Sequence, residues 1–418
     1  MTPRTSSSAG DLQPIAAIPH YPHFSSLVSL RFFAAIFVVY AHCLPSFFGP
    51  LPPETTIERG FAVVMVFFHI LSGFTLAYVY PALENPTRIY RFWMARIGRI
   101  WPLHIGVLAM VIIFPWREQL VNGYWWRRLA YNITFTHAWF PTTNSLGFFN
   151  GPSWSLSTEF ALYLLFPLLI LGLKRTWHWK LAGSFLLTIA TVAYCNYCNT
   201  HTRYNLLARF DLDPLAVSYV HPFVRVFEFV LGMTMALFWT RLHGIYRIGA
   251  IMGTVAEAGV LALWLVTRSN AHAMAVALST HFHFGQIWVE WLQRSFFGYI
   301  PTVLAISVFS MNRGKLSWLL SAPFFVFMGE LSFAIYLIHM PIAHGFIVMI
   351  QKGVGLHPLL AMVTAFWLSM FVLSYVVHVA WERPCRNFFR WVASAGWRKR
   401  KGEPAPALAA PLQAGSRE

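Results

Sequence analysis

The run Leu30-Arg31-Phe32-Phe33-Ala34-Ala35-Ile36-Phe37-Val38-Val39-Tyr40-Ala41-His42 decides the fold class. Between its two ionisable residues every side chain is apolar or aromatic. With its flanks it covers residues 27–44, close to the ~20 residues that a bilayer crossing needs. Eleven residues of α-helix make three turns and about 20° more, so Arg31 and His42 lie on one face. They stand about 16 Å apart along the axis. An ionisable group inside a membrane helix is costly and marks a functional site by default. The competing reading is a snorkelling arginine and a packed, hydrogen-bonded histidine.

The rest of the chain repeats this apolar character. Of 418 residues, 57% are hydrophobic and only 11% are charged. A water-soluble fold cannot cover that much apolar surface. Ten apolar runs fall at 27–44, 60–80, 100–115, 155–173, 181–197, 221–240, 248–267, 287–309, 323–350 and 358–381. The expected fold is all-α, a polytopic membrane protein with about ten transmembrane helices. Alternating ten-residue strands are absent, which argues against a membrane β-barrel.

The net charge of +16 would suggest nucleic acid in a soluble chain. Here the basic residues sit in short loops and at the C-terminus, so they report topology and contact with membrane lipid, and no nucleic-acid partner is expected. Arg88, Arg91, Arg96, Arg99, Lys174, Arg175, Lys180, Arg241, Arg247, Arg313, Lys315 and the basic tail fall on one side. That bias puts both termini in the cytoplasm. Residues 1–25 read as a disordered cytoplasmic tail, without the apolar core of a signal peptide. Residues 26–390 read as the membrane domain, and 391–418 as a basic, then Pro/Ala-rich, cytoplasmic tail. Cys195 and Cys198 have the spacing of a redox pair but lack a βαβ context, so neither a redox role nor a metal site is expected. No internal repeat is visible, which weakens a transporter built from inverted halves.

This topology assigns depths to the polar residues. His42 and His339 come late in outward spans, whereas Glu159, Arg225 and Glu228 come early in inward ones. All five are expected in the outer half of the membrane, a coincidence that scattered structural polar groups have no reason to show. A second set gathers at the inner face: Arg31, Arg96, Arg99, Arg313, Glu382, Arg383 and Arg386. Guanidinium forks suit phosphate oxygens, so a phosphorylated cytoplasmic ligand would account for them. Ordinary positive-inside anchoring explains basic loops equally well. Together the two sets suit a thioester carrier on one side and a hydroxyl acceptor on the other.

The motifs resemble, in order, those of the acyltransferase-3 family, membrane acyltransferases typified by bacterial surface-polysaccharide O-acetyltransferases. Arg31 with His42 resembles its R-x10-H signature, and Phe68-His69-Ile70-Leu71-Ser72-Gly73 its F-F-x-x-S-G. Arg96-Ile97-Gly98-Arg99-Ile100-Trp101-Pro102 is similar to R-x-x-R-I-x-P. Pro152 to Glu159, with Trp154, resembles P-x-W-S-L-S-x-E, and Arg225 to Gly232 resembles R-x-x-E-F-x-x-G. Ser332, Tyr336, Leu337 and His339 match a late S-x-x-x-Y-L-x-H run; Glu382-Arg383-Pro384 match its closing E-R-P. Each motif is weak alone; the ordered set, spread over 27–390, is specific. His69 departs from the pattern, standing where the family usually has phenylalanine. A packing role is expected for it, with a second proton-handling group as the alternative.

The resemblance implies acetyl-CoA, or another acyl-CoA, as a cytoplasmic donor substrate, with no permanently bound cofactor. It implies a hydroxyl of a polysaccharide or lipid-linked glycan as acceptor, and a bacterial inner-membrane location. A sugar hydroxyl is a poor nucleophile at neutral pH, and a neutral imidazole can remove its proton. His42 is the expected base, with Glu159 orienting the imidazole or binding the sugar. Arg31, Arg96 and Arg99 are the expected donor-binding residues. Trp154, Arg225, Glu228 and His339 are expected at the acceptor or the developing oxyanion, although Arg225 and Glu228 at i,i+3 also suit a structural pair. Ser72, Gly73, Tyr336, Glu382 and Arg383 are expected to hold the framework. An acyl-serine at Ser155 or Ser157 is less favoured, because serines at a helix start are commonly caps. Trp139, Phe148, Phe149, Tyr124 and Tyr163 are expected around the outer mouth, as sugar platforms or an interfacial belt. A non-catalytic glycan or lipid-linked-sugar transporter is the alternative function. A lipid or a small natural product, such as a macrolide, is the alternative acceptor.

Overall fold

The computed structural model describes residues 24–48, 56–113, 125–142, 148–201, 205–242, 248–353 and 359–401. Among them lie sixteen α-helices and no strand. In order they are α1 (Ser25–Phe48), α2 (Thr56–Val79), α3 (Pro86–Ile113), α4 (Trp125–Ile133), α5 (Trp154–Ile170) and α6 (Leu173–Thr200). Then follow α7 (Leu206–Arg209), α8 (Pro214–Val220), α9 (Pro222–Leu242), α10 (Ala250–Phe282), α11 (Gln286–Arg294) and α12 (Tyr299–Met311). The last are α13 (Lys315–Leu320), α14 (Pro323–Gln351), α15 (Leu359–Val377) and α16 (Arg383–Lys401). Nine described helical segments are long and apolar enough to cross a membrane, and a shorter apolar segment, Val64–Val79 in α2, makes a tenth. Each coincides with one of the ten runs read from the sequence. The chain is an all-α, multi-pass membrane protein.

Several boundaries differ from expectation for local reasons. The basic stretch Arg88–Arg99 is the first half of the third spanning helix and not a separate loop element. Asn85 caps that helix, its side chain accepting the Thr87 N–H at 2.8 Å, and Pro86 stands at the first position, where its missing N–H is harmless. At the other end of the chain, α16 runs through Lys401, across the expected domain limit at 390. The tails 1–23 and 402–418 lie outside the described residues.

Two close helix crossings build the frame of the site. A Cβ at Gly73 on α2 would overlap the Phe229 carbonyl of α9, and one at Gly232 on α9 would overlap the Ile70 carbonyl of α2. Only two glycines facing each other let these backbones touch, the packing that replaces a hydrophobic drive inside lipid. Gly329 on α14 gives the same close approach to the Val28 carbonyl of α1. Serines complete the frame: Ser26 donates to the Phe309 carbonyl at 2.8 Å and Ser29 to that of Leu320 at 2.5 Å. Around this frame α10 and α15 turn apolar side chains outward, Ile251, Val255, Leu360 and Leu368 among them.

Two acidic residues have structural roles. Glu257 on α10 is fully buried, yet its carboxylate accepts the Gly314 and Leu316 N–H groups at 3.0 Å each and the Ser317 hydroxyl. It caps α13 across space, satisfying the orphan donors of that helix start. Glu382 closes a π-helical turn, His378–Glu382, by accepting from His378 Nδ1 at 2.8 Å. Arg383 pairs with Glu330 on α14 at 3.2 Å, and the Trp381 indole donates to the Pro102 carbonyl of α3 at 2.8 Å. These ties seat α16 against α3, with Phe389 covering Gly98 between Arg96 and Arg99.

Candidate active site

A cavity of about 450 Å³ lies among α1, α2, α3, α5 and α14. Arg31, Arg96 and Arg99 line one end. Arg96 and Arg99 are three apart on α3 and share a face. Arg31 is brought to them by α1 and lies within electrostatic reach of Arg99, Glu159 and Glu382. None of the three guanidiniums makes an ion pair with a described residue. Arg96 rests instead near the rings of Tyr80, Phe92 and Tyr163, at 6.0, 6.0 and 5.9 Å, and its Nε is buried without a hydrogen-bond partner. Three guanidiniums with no carboxylate in ion-pair contact among the described residues, and only Glu159 beside them in the cavity, leave a net positive lining that is complementary to a polyanion.

Glu159 sits toward this basic end. Its carboxylate accepts from Ser72 Oγ at 3.1 Å and from the Tyr163 hydroxyl. It does not lie level with His42, as the span count suggested. Ser155, four residues earlier on α5 and so about 6 Å outward along the axis, is the residue that meets α14, through a 2.8 Å hydrogen bond between its hydroxyl and that of Tyr336. The Glu159 carboxylate is therefore one step deeper than the imidazoles, and His42 has a different orienting partner.

That partner is His339. His42 Nδ1 and His339 Nε2 are 2.9 Å apart, and His339 Nδ1 is 2.6 Å from the Tyr336 carbonyl. A carbonyl only accepts, so His339 Nδ1 carries the proton. With both rings neutral, His339 Nε2 is then an acceptor, and His42 Nδ1 must donate to it. The chain Tyr336 carbonyl–His339–His42 thus orders both rings along one line of hydrogen bonds. His339 is fully buried, whereas His42 is exposed.

Tyr336 also separates the imidazoles from the cavity. Its hydroxyl donates to the Pro152 carbonyl at 2.9 Å while bonded to Ser155, and its ring lines the outer end of the cavity beside Met65 and Phe68. Ser157 is fully buried and hydrogen-bonded to the Phe135 carbonyl at 2.6 Å and the Ala138 N–H at 3.1 Å. This hydroxyl ties α5 to the preceding loop.

Arg225 and Glu228 form a third cluster behind the α2 wall. Both are fully buried, joined at 2.6 Å, and Arg225 donates further to the Tyr219 carbonyl at 2.6 Å and to Ser295 at 3.0 Å. The guanidinium lies 4.4 Å from the centre of the Tyr219 ring and 5.8 Å from that of Trp154. The structural pairing foreseen as an alternative for these two residues is the contact seen. The expected packing role of His69 is not: its Nδ1 meets Glu228 Oε2 at 2.8 Å, and its ring lines the cavity. A histidine in place of an aromatic on the face that carries Ser72 was the available signal.

The aromatic mouth is also rearranged. Phe148 and Phe149 are buried, and Trp139 is half-buried edge-on against His221 and Phe223. Tyr163 sits at the basic end with Glu159, and Tyr124 lies outside the described residues. The short helix α4 presents Trp125 and Trp126, as an interfacial helix does. Cys195 and Cys198 are buried free thiols.

A bundle of apolar helices encloses a cationic cavity beside a hydrogen-bonded imidazole pair, the parts that a membrane group-transfer enzyme needs. Residues 24–379 match the acyltransferase-3 family profile, described as an acyltransferase domain, and the chain belongs to that family. The chain is 31% identical over 392 residues to the acyltransferase MdmB of Streptomyces mycarofaciens, covering 88% of this chain and 92% of that protein. It is 23% identical over 272 residues to nodulation protein 10 of Rhizobium leguminosarum bv. viciae, covering 60% of this chain and 69% of that protein. No solved structure matches. Membership replaces the transporter alternative: the chain is a membrane acyltransferase.

Proposed function

We propose that the enzyme moves an acyl group, acetyl in the first instance, from cytoplasmic acyl-CoA to a hydroxyl of a polysaccharide or lipid-linked glycan at the bacterial inner membrane. The observation that carries this reading is the pairing of three guanidiniums, none in an ion pair with a described residue, at one end of the cavity with a hydrogen-bonded imidazole pair near the other. The phosphates of the donor suit Arg31, Arg96 and Arg99. The acyl-bearing arm then extends along the cavity past Glu159 and His69 toward Tyr336. To reach His42, the thioester must pass the Tyr336–Ser155 hydrogen bond, so the hydroxyl pair acts as a latch that opens during turnover.

At the imidazole, His42 Nε2 takes the proton of the acceptor hydroxyl as the oxygen attacks the thioester carbon. The tetrahedral intermediate expels the thiolate, which receives the proton from the His42 imidazolium. An ester and a free thiol leave. His339 stabilises the cation formed on His42 by accepting its Nδ1 proton in a hydrogen bond, the part that an acidic residue plays in other relays.

Mass spectrometry of surface glycans from cells with and without the chain tests the acceptor. Loss of one acetyl increment per modified sugar on deletion is the expected result. Unchanged glycans from cells whose membranes still release thiol from acetyl-CoA would overturn the polysaccharide acceptor and point to a lipid or small-molecule hydroxyl.

A further inference from the structure

His69 belongs to no part of the scheme above, yet it occupies the middle of the path. On α2 it stands one turn outward of Ser72, which holds Glu159, and one turn inward of Met65, which lines the cavity beneath the Tyr336 hydroxyl. Its side chain is 4% exposed and lines the cavity. One nitrogen is already used: Nδ1 lies 2.8 Å from Glu228. Arg225 donates to the other oxygen of the same carboxylate at 2.6 Å, so the group accepts from both sides and Nδ1 is the proton-bearing nitrogen. In the neutral form of the ring Nε2 is then the unprotonated nitrogen, and it lies on the part of the ring away from the Glu228 bond, the part left to face the cavity. The other polar groups at this height are engaged with one another, Glu159 with Ser72 and Tyr163, and Ser155 with Tyr336.

We infer that His69 is a substrate-contacting residue, its Nε2 accepting a hydrogen bond from an uncharged O–H or N–H group of the bound substrate. Arg225 and Glu228 are its positioning residues, and Trp154 and Tyr219 shield their charge. The inference rests on the acyl-CoA reading of this cavity. Two sources supply the chemistry: an amide N–H on the pantetheine arm of the donor, or the hydroxyl of the acceptor. A carbonyl or phosphate oxygen does not suit a lone pair.

Three substitutions separate a substrate contact from a purely structural one. Asparagine places an N–H near the Nδ1 position and keeps the bond to Glu228, but has nothing at Nε2. Glutamine reaches the Nε2 position. Phenylalanine fills the space with neither. Acetyl-CoA binding to detergent-solubilised protein, by titration calorimetry, reads the donor arm. Single-turnover acetylation by donor-saturated protein, with oligosaccharides from the surface glycan, reads the acceptor arm. His69→Asn is expected to lose about tenfold in one arm, the loss of one hydrogen bond in a water-poor site, and His69→Gln to recover part of it. A loss in binding assigns the contact to the donor amide; a loss in rate alone assigns it to the acceptor hydroxyl. Wild-type values in both arms for His69→Asn, with His69→Phe alone defective, would overturn the contact and leave His69 a structural partner of Glu228. Absence of acetyl-CoA binding by the wild-type protein would overturn the cavity reading itself, and this inference with it.

Discussion

His42→Ala should abolish acyl transfer while leaving the protein in the membrane and its acyl-CoA affinity unchanged. The size of the loss follows from the role. A general base contributes about 10²–10⁴-fold, and among the described residues the only imidazole hydrogen-bonded to His42 is that of His339, itself held by the Tyr336 carbonyl. The imidazole lies beyond the Tyr336 layer from the cavity, so its removal leaves the contacts of the arginines untouched. His339→Ala should act through His42 and should be milder. It removes the acceptor that fixes the His42 tautomer, but the base itself stays in place. Rates of acetyl transfer measured beside acetyl-CoA binding distinguish these effects. A normal rate in His42→Ala would remove the base from the scheme. A parallel loss of binding would mean that the helix, and not the imidazole, had been damaged.

The second large effect is expected at the other end. Arg96→Ala combined with Arg99→Ala should weaken acetyl-CoA binding by about a hundredfold or more, since each charge-assisted bond to a phosphate contributes about 1.5–3 kcal/mol. Neither Arg96 nor Arg99 makes an ion pair with a described residue, so the double variant should leave no described carboxylate stranded and should fold about as well as the parent. Folding and binding are thereby separable by melting temperature in detergent. A dephospho analogue of the donor gives the complementary comparison: removing a phosphate from coenzyme A should lose much of its affinity in the parent and little in the double variant. Equal binding of acetyl-CoA by the parent and the double variant would assign the basic end of the cavity to membrane anchoring.

What the sequence made legible, and what it did not, follows from the range of the interactions involved. The ten apolar runs announce themselves because each contains its own evidence, a window of side chains that water will not solvate. The Arg225–Glu228 pair is legible for the same reason, since three residues apart on a helix are neighbours. The partner of His42 is not. His339 lies 297 positions away, and nothing in either helix states their register. Depth read from span order is a coarse ruler, good to about a helical turn or two. It placed Glu159 level with His42, although the 3₁₀ turn Gly151–Ser153 starts α5 at the height where Ser155 meets Tyr336. Glu257 was invisible for a related reason: its partners are backbone N–H groups about sixty residues later, and Gly314, with no room for a Cβ beneath that carboxylate, was the only trace. His69 departs from the motif in the sequence, and the likeness of its ring to phenylalanine favours packing; the fully buried Glu228 opposite it is what makes the difference.

The separation of donor and acceptor chemistry along one helix is the central claim, and a sided assay tests it most directly. The protein is reconstituted in sealed proteoliposomes, and the vesicles whose C-terminal segment is open to external protease are selected. Labelled acetyl-CoA is supplied outside and oligosaccharides from the surface glycan are trapped inside. Labelled ester on the internal oligosaccharide, lost in His42→Ala, is the expected result. Ester formed only when donor and acceptor share the outer compartment would contradict the division of labour between Arg31 and His42.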